Sequence, residues 1–315
     1  MASGDWVSKT LIDLIYNPEV SERGMNCVAF ASGSVTNFEQ AVLEAKESKK
    51  RFSICLLLTD KERKDGEIIG AIKRAEKLGV PYRILNGFKF CGSWQEAKET
   101  PEGIFEYQRK STHFDLKLLE IIHEYEDEST GETTFDLAIL AGYMRFVRAP
   151  LLRRFDNRII NVHPARLDVF NEDETRKFVG DNAVYDALSS GETKTRSSIF
   201  LVDSGEDSGP ILTSGPWINY EVTYEGELSL TEESASKHQE KQKAASDWPA
   251  LRFTLRAISE GRFGLHKEKF WSDGNPVVTF DQRETPYHGI ELKLTDNSYE
   301  PFIRTKTDEL IQINK

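Results

Sequence analysis

The chain has 315 residues, 38% hydrophobic and 30% charged, which is long enough to bury a core without disulfides or a structural metal. Forty-one Lys and Arg against 52 Asp and Glu leave a formal charge of -11, which argues against broad binding to a nucleic acid backbone but not against a local phosphate site. No apolar run is long enough to span a bilayer, and Cys27, Cys55 and Cys91 lack the CxxC spacing of a zinc or iron-sulfur site.

Cys27 and Cys55 sit in apolar runs and read as reduced core thiols. The start, MASGDWVSKTLIDLIY, resembles neither a signal peptide nor an Arg-rich transit peptide, so a cytoplasmic, reducing location is expected. Trp6, Leu11, Leu14 and Ile15 suggest a short amphipathic helix within an N-terminal extension, residues 1–25. NCVAFASGS reads as an apolar strand broken by Ser32, Gly33 and Ser34, with a helix from about Thr36 through FEQAVLEAKE. RFSICLLLTD is a second strand with almost no alternation, as expected when both faces of a parallel sheet are covered. GEIIGAIKRAEKLG predicts a helix stopped by Gly79 and Pro81, and VPYRIL a third strand.

Residues 86–111 read as less regular, punctuated by Gly87, Gly92, Pro101 and Gly103, and FDLKLLEIIHEYEDE as a long helix. FDLAILAG is a fourth strand, LLRRF a short helix, and RIINVHP a fifth strand with Asn161 and His163 at its carboxyl end. This strand-helix rhythm argues for an α/β fold with an open, mostly parallel sheet. A helix over residues 182–188, the strand RSSIFLVD, the turn GEDSGP and the strand ILTSGPW follow. Residues 230–258 read mainly as helix, with Pro249 as a kink or N-terminal turn. FGLHKEKFW, PVVTFD and GIELKL predict a small β-rich appendix, so the expected division is 1–25, 26–260 and 261–315.

In such a sheet, ligands collect beyond the carboxyl ends of the strands, and three features fall there. In Ser32-Gly33-Ser34-Val35-Thr36-Asn37, small residues let backbone N–H groups approach an anion at a helix N-terminus; the plainer reading is a tight turn with an N-cap. The loop has neither GxxxxGK nor GxGxxG, so a P-loop and NAD binding lose their usual support. Asn161 and His163 alternate onto the same side of their strand, where an amide can donate to an oxyanion and an imidazole can move a proton; the plainer reading is a hydrogen-bonded strand-end pair. Asp207 lies in Gly205-Glu206-Asp207-Ser208-Gly209-Pro210, a turn that could carry its carboxylate to His163 or simply cap its own backbone. No GxSxG, HExxH or paired cysteine supplies a nucleophile, which favours a reaction whose substrate brings its own.

VAFASGSVTNF, DLAILAGYMR, RIINVHP and IFLVDSGEDSGPIL, in that order over residues 26–220, resemble the formyltransferase family, and within it the phosphoribosylglycinamide formyltransferases of purine synthesis. The resemblance implies a Rossmann-like fold: an open, mostly parallel twisted sheet with helices on both faces. It implies formyl transfer from 10-formyltetrahydrofolate, as co-substrate, to the amine of glycinamide ribonucleotide. By motif match, Asn161 would hold the tetrahedral oxyanion, His163 would assist it and the proton transfers, and Asp207 would orient and charge-stabilise His163. Tyr143, Met144, Arg145, Phe146 and Val147 correspond to the folate-binding segment, for which core packing is the plainer reading of Met144, Phe146 and Val147. Gly33, Ser34, Val35, Thr36 and Asn37 correspond to the loop that holds the ribonucleotide phosphate. The expected partner is a phosphorylated small-molecule amine, with no metal, nucleic acid or membrane; the terminal extensions could complete a homodimer or cover the acceptor site.

The chain departs from the family pattern in three places. Val35 stands where a glycine is expected between Ser34 and Thr36. The family's SLLP after the histidine is replaced from Ala165 to Phe170, followed by an acidic stretch to Gly180. A His-Gly pair becomes Thr195-Arg196, where Arg196 reads equally as a contact to phosphate or folate glutamate and as a solvent-facing base. These changes touch the acceptor region, so formylation of another amine, hydrolysis of 10-formyltetrahydrofolate, and a folate- or nucleotide-binding protein without turnover stand as alternatives.

Overall fold

The computed structural model of the chain describes residues 6–21, 23–33, 36–48, 51–129, 133–221, 223–224, 227–228, 230–295, 298–304 and 310–312. Of the candidate site residues, Ser34 and Val35 lie outside this set. By its contacts the chain divides into two compact units, Ser21–Ile160 and Met1–Val20 with Asn161–Lys315.

Within Ser21–Ile160, four parallel strands stand in the spatial order Tyr82–Ile84, Phe52–Thr59, Met25–Ala31, Leu137–Leu140. Every residue of Met25–Ala31 except Asn26 is buried, as is all of Leu137–Leu140, because both sheet faces are covered. The chain order reverses between Met25–Ala31 and Leu137–Leu140, so their carboxyl ends flank a topological switch point. The helix Thr36–Glu47 packs on Phe52–Thr59 and buries Phe38, Ala41 and Val42.

Residues 86–111 are more regular than expected, being largely helical. Short helices span Gly87–Cys91 and Trp94–Ala97, and a long helix runs over Pro101–Glu128. Thr100 caps that helix by accepting from Gly103 N–H at 3.0 Å, and Pro101 occupies its first turn, where a missing N–H is harmless. On this helix, buried Asp115 accepts from Arg148 N–H at 2.6 Å and so holds the start of the helix Ala149–Arg154. Burial pushes the Asp115 carboxyl up to about 7, against the opposing effects of the Arg148 N–H and the nearby Arg148 and Arg145 charges.

The folded state therefore binds this proton more tightly than the unfolded chain does. Its contribution to stability is full below the unfolded carboxyl value and declines as pH rises from about 4 to about 7, by on the order of 3 to 4 kcal/mol. Asp115→Asn should flatten that part of the stability profile. Parallel denaturation curves for wild type and variant between pH 4 and 8 would contradict it.

In the other unit, the helix expected around Trp6 to Ile15 is a strand. Ile12–Leu14 follows a single turn of 3₁₀ helix, Lys9–Leu11, and pairs antiparallel with Phe263–Phe270, Ile12 opposite His266 and Leu14 opposite Gly264. Phe263–Phe270 also pairs with Pro276–Phe280, and that strand with Arg283–Glu284. Phe263, Phe280 and Phe253 of the helix Trp248–Ser259 form the aromatic core beneath this sheet, the first two with ring centroids 4.8 Å apart.

The expected appendix is therefore split. Its remaining strands extend a different sheet: Ser198–Leu201 pairs antiparallel with Ile211–Ser214, which takes Ile290–Thr295 as a parallel neighbour, followed by Ser298–Arg304 and Leu310–Gln312. Gly289 makes that junction, with φ 70° and with the position of an added Cβ only 2.3 Å from Leu212 O. Gly289→Ala should cost roughly 2 kcal/mol or more in denaturant unfolding, and an unchanged midpoint would count against this account of the junction. Glu232–Gln242 and Trp248–Ser259 are joined by a π-helical turn, Lys243–Asp247, so the disturbance expected at Pro249 is taken up just ahead of it.

Candidate active site

The strand Ile159–His163 ends in Pro164, and alternation brings Asn161 and His163 to its carboxyl end. Asn161 Oδ1 accepts from Val162 N–H at 2.9 Å, which turns the amide so that its Nδ2 hydrogens are the outward donors. His163 is 3% exposed. Its Nε2 lies 2.6 Å from Phe178 O, and its Nδ1 lies 3.3 Å from Asp207 Oδ2. A carbonyl can only accept, so Nε2 carries a hydrogen, and Nδ1 is the nitrogen whose protonation Asp207 governs. Burial pushes the His163 pKa below that of an ordinary histidine; the Asp207 carboxylate and the Phe178 carbonyl oppose that fall, and the Arg176 guanidinium adds to it.

Asp207 occupies the turn between Ser198–Leu201 and Ile211–Ser214 with φ 48°, in the left-handed region. Its Oδ2 also accepts from Gly180 N–H at 2.9 Å. The three residues singled out in the sequence thus stand together, and two that were not singled out as site residues complete them through backbone groups, Phe178 by its carbonyl and Gly180 by its N–H. Phe178 is fixed by its ring, which is buried against Ala165, Ala183 and Ala187.

Two further loops lie in the unit Ser21–Ile160, at the carboxyl ends of its switch-point strands. Ser32, fully buried, joins them: its N–H donates to Gly142 O at 3.1 Å, and its Oγ accepts from Met144 N–H at 2.9 Å. The sequence places Ser32 at the head of the anion-loop candidate, but its role in tying the two loops together has no signal there beyond a serine directly after an apolar strand. Gly33 O accepts from Ala71 N–H at 3.0 Å, Thr36 opens the following helix, and Asn37 keeps a buried Oδ1 with no hydrogen-bond partner among the described residues.

In the second loop, Met144 and Phe146 are 62% and 46% exposed, which makes an open apolar surface in place of the core packing that was their plainer reading. Val147 is buried, as that reading has it. Tyr143 packs its ring on Phe30, with centroids 5.5 Å apart, and its hydroxyl is buried without a hydrogen-bond partner among the described residues. Arg145 lies over the Phe114 ring at 4.7 Å.

Arg196 is not a solvent-facing base. It is 3% exposed, faces Asp168 at 3.3 Å and Glu291 at 3.6 Å, and stacks 4.5 Å from the Trp217 ring centroid. Burial acts upward on the Asp168 carboxyl, but the hydrogen bond from Arg166 and the Arg196 charge hold it below the usual range. Among the described residues no group of three or more metal-ligating side chains occurs, and no helix is long and apolar enough to cross a membrane.

Residues 25–217 match the family described as Formyl transferase. A phosphoribosylglycinamide formyltransferase of Bacillus subtilis strain 168 is 32% identical over 183 residues, which cover 58% of this chain and 74% of that protein. The structure of glycinamide ribonucleotide transformylase 1 from Symbiobacterium toebii superposes with a TM-score of 0.58 at 24% identity, covering 82% of this chain and 95% of its own. That of the Coxiella burnetii phosphoribosylglycinamide formyltransferase gives 0.59 at 22%, covering 85% and 99%. These structures show the Rossmann-like fold, a mostly parallel sheet with flanking helices. Because the matched stretch spans more than half of its length, the chain belongs to the formyl transferase family.

Proposed function

We propose that the chain transfers the formyl group of 10-formyltetrahydrofolate to the amine of glycinamide ribonucleotide, a step of purine synthesis. The observation that carries this reading is the arrangement of Asn161, His163 and Asp207 at one strand end of a formyl transferase family member. The acceptor amine attacks the formyl carbon, and the carbonyl oxygen gains the negative charge of a tetrahedral intermediate. The Asn161 Nδ2 hydrogens stabilise that oxyanion. The bond from the carbon to N10 of the folate then breaks, and the proton lost by the amine goes to N10.

His163 moves that proton, exchanging its Phe178 carbonyl partner for the reacting atoms while Asp207 stabilises the imidazolium. Met144 and Phe146 form an apolar wall for the pterin, with Tyr143, Arg145 and Val147 supporting their loop. Gly33, Ser34, Val35, Thr36 and Asn37 hold the acceptor phosphate. Arg196 has no part in this assignment, because Asp168 and Glu291 already face its guanidinium.

The test is a panel of amines incubated with 10-formyltetrahydrofolate, following tetrahydrofolate release and formylated product. Glycinamide ribonucleotide should give both at the highest kcat/KM. Tetrahydrofolate without formylated amine would mean hydrolysis, and release of neither would mean a binding protein. Faster turnover of another amine would move the assignment to that acceptor, a reading favoured by the replaced segment after His163.

A further inference from the structure

The turn that carries Asp207 is held by side chains from two parts of the chain that the family resemblance does not cover well. Three successive carbonyls of this turn are captured from outside it. Arg176 Nη1 donates to Asp207 O at 2.5 Å and Nη2 to Gly209 O at 2.8 Å. Asn275 Nδ2 donates to Ser208 O at 2.7 Å. Arg176 belongs to the replaced segment after His163, where Asn171 N–H to Thr175 O and Lys177 N–H to Val169 O close a small loop. Asn275 belongs to the turn ahead of Pro276–Phe280, beyond the matched family region.

One hydroxyl and one carboxylate tie these two arms together. Tyr287 OH accepts from Arg176 Nη2 at 2.7 Å and donates to Asp273 Oδ2 at 2.5 Å. Asp273 Oδ2 accepts from Asn275 Nδ2 at 2.8 Å, and Asp273 Oδ1 from Asn275 N–H at 3.0 Å. Phe170 and Trp271 pack their rings on Tyr287, at centroid distances of 5.3 and 5.7 Å. Burial and the Asp273 hydrogen bond push the Tyr287 hydroxyl up to about 12, so it stays protonated and keeps both roles.

We propose that Arg176, Asn275 and Tyr287, organised by Asp273, are positioning residues for formyl transfer: by fixing the carbonyls of residues 207–209 they hold the Asp207 carboxylate beside His163. The inference rests on the catalytic reading of that pair. It makes the chain beyond residue 260 a working part of the catalytic centre and not a passive addition. The physical need is plain. A non-glycine residue at φ 48° tends to relax unless its neighbours over-determine it, and relaxation would swing the carboxylate away from Nδ1. Arginine suits the task because its planar fork reaches two carbonyls at once, which a lysine ammonium does not do in fixed geometry.

The experiment compares full-length wild type with Tyr287→Phe, Asn275→Ala, Arg176→Lys, Asp207→Asn and the Tyr287→Phe/Asp207→Asn double variant. Each is checked for folding by circular dichroism and assayed with 10-formyltetrahydrofolate and glycinamide ribonucleotide. Tyr287→Phe and Asn275→Ala should each lower kcat by about 10-fold, and Arg176→Lys by up to about 100-fold, since misplacement on the order of an ångström has effects of this size. Both KM values should stay within about twofold, because no substrate-binding residue is altered. In the Asp207→Asn background Tyr287→Phe should add almost nothing, as expected of a residue that acts only through Asp207.

Wild-type kcat in folded Tyr287→Phe and Asn275→Ala, beside a large loss in Asp207→Asn, would overturn the positioning role and leave the catalytic reading standing. So would losses that multiply fully in the double variant, or that appear mainly in KM. Wild-type kcat in Asp207→Asn would remove both readings together. A second readout needs no turnover: the imidazole ¹⁵N resonances of His163, identified by their absence in His163→Ala, should shift in Tyr287→Phe, and unmoved resonances would also refute the clamp.

Discussion

Replacing His163 by alanine is expected to lower the single-turnover rate of formyl transfer by at least about 10²-fold while the protein stays folded, the lower end of what positioned acid-base groups contribute. The loss should match the geometry atom by atom. His163→Ala removes the one imidazole at this strand end that can carry a proton between the amine and N10. Asp207→Asn keeps the side chain's shape but removes its charge: Oδ2 alone faces both Gly180 N–H and His163 Nδ1, so an amide oxygen in its place keeps those contacts and loses only the negative charge. The imidazolium then lacks its counter-charge inside a buried site, where burial already pushes the His163 pKa down. A loss of similar size is expected, with KM little changed. Asn161→Ala should act on the same step through the oxyanion, and removal of one such donor is worth about 10²- to 10³-fold. Folded variants that retain wild-type single-turnover rates would strip these residues of their assigned roles.

The parts of this centre that could be read in advance share a property: their signal is local. Met25–Ala31 and Leu137–Leu140 are buried on both faces and so appear as unbroken apolar runs. Asn161 and His163 are two apart on a strand, which places them together by pleat alone. Asp207 lies between glycines that advertise its turn.

What could not be read depends on distant partners. Ile12–Leu14 has an apolar spacing that serves a helix or a strand, and the strand wins because Phe263–Phe270 offers it a ladder. Arg196 offers no hint of burial until Asp168 and Glu291 arrive from elsewhere in the chain. The second half of the helix Pro101–Glu128 was legible as FDLKLLEIIHEYEDE, but its first half was hidden by its own start signals, since Pro101 and Gly103 read as punctuation within a loop, while Thr100 caps the helix and Pro101 opens its first turn. The Phe178 carbonyl and the Gly180 N–H leave no trace in residue identity, because every residue has a carbonyl and nearly every one an N–H. The segment after His163 that departs from the family pattern thus supplies backbone partners to His163 and Asp207.

Loss of the acceptor's phosphate is the second change expected to have a large effect. If backbone N–H groups at the start of the helix Thr36–Glu47 take the phosphate, charge-assisted hydrogen bonds of about 1.5 to 3 kcal/mol each disappear with it. The dephosphorylated amine should therefore be used at least about 100-fold less efficiently in kcat/KM, a figure that needs only two such bonds. Inorganic phosphate should compete weakly with the acceptor and not with the folate. Asn37 sharpens the test because its Oδ1 is buried and has no hydrogen-bond partner among the described residues. Asn37→Asp places a negative charge there, beside the proposed dianion and inside a partly desolvated loop, where like charges repel more strongly than in water. Acceptor KM should rise about tenfold or more while folate affinity holds, since the loop proposed to bind folate is reached through Ser32, whose contacts to Gly142 and Met144 the substitution leaves intact. Equal use of the phosphorylated and dephosphorylated amines, with an Asn37→Asp effect confined to folate, would take the phosphate away from this loop. Formyl transfer itself would survive that result, because the chemistry at His163 does not depend on which amine the loop selects.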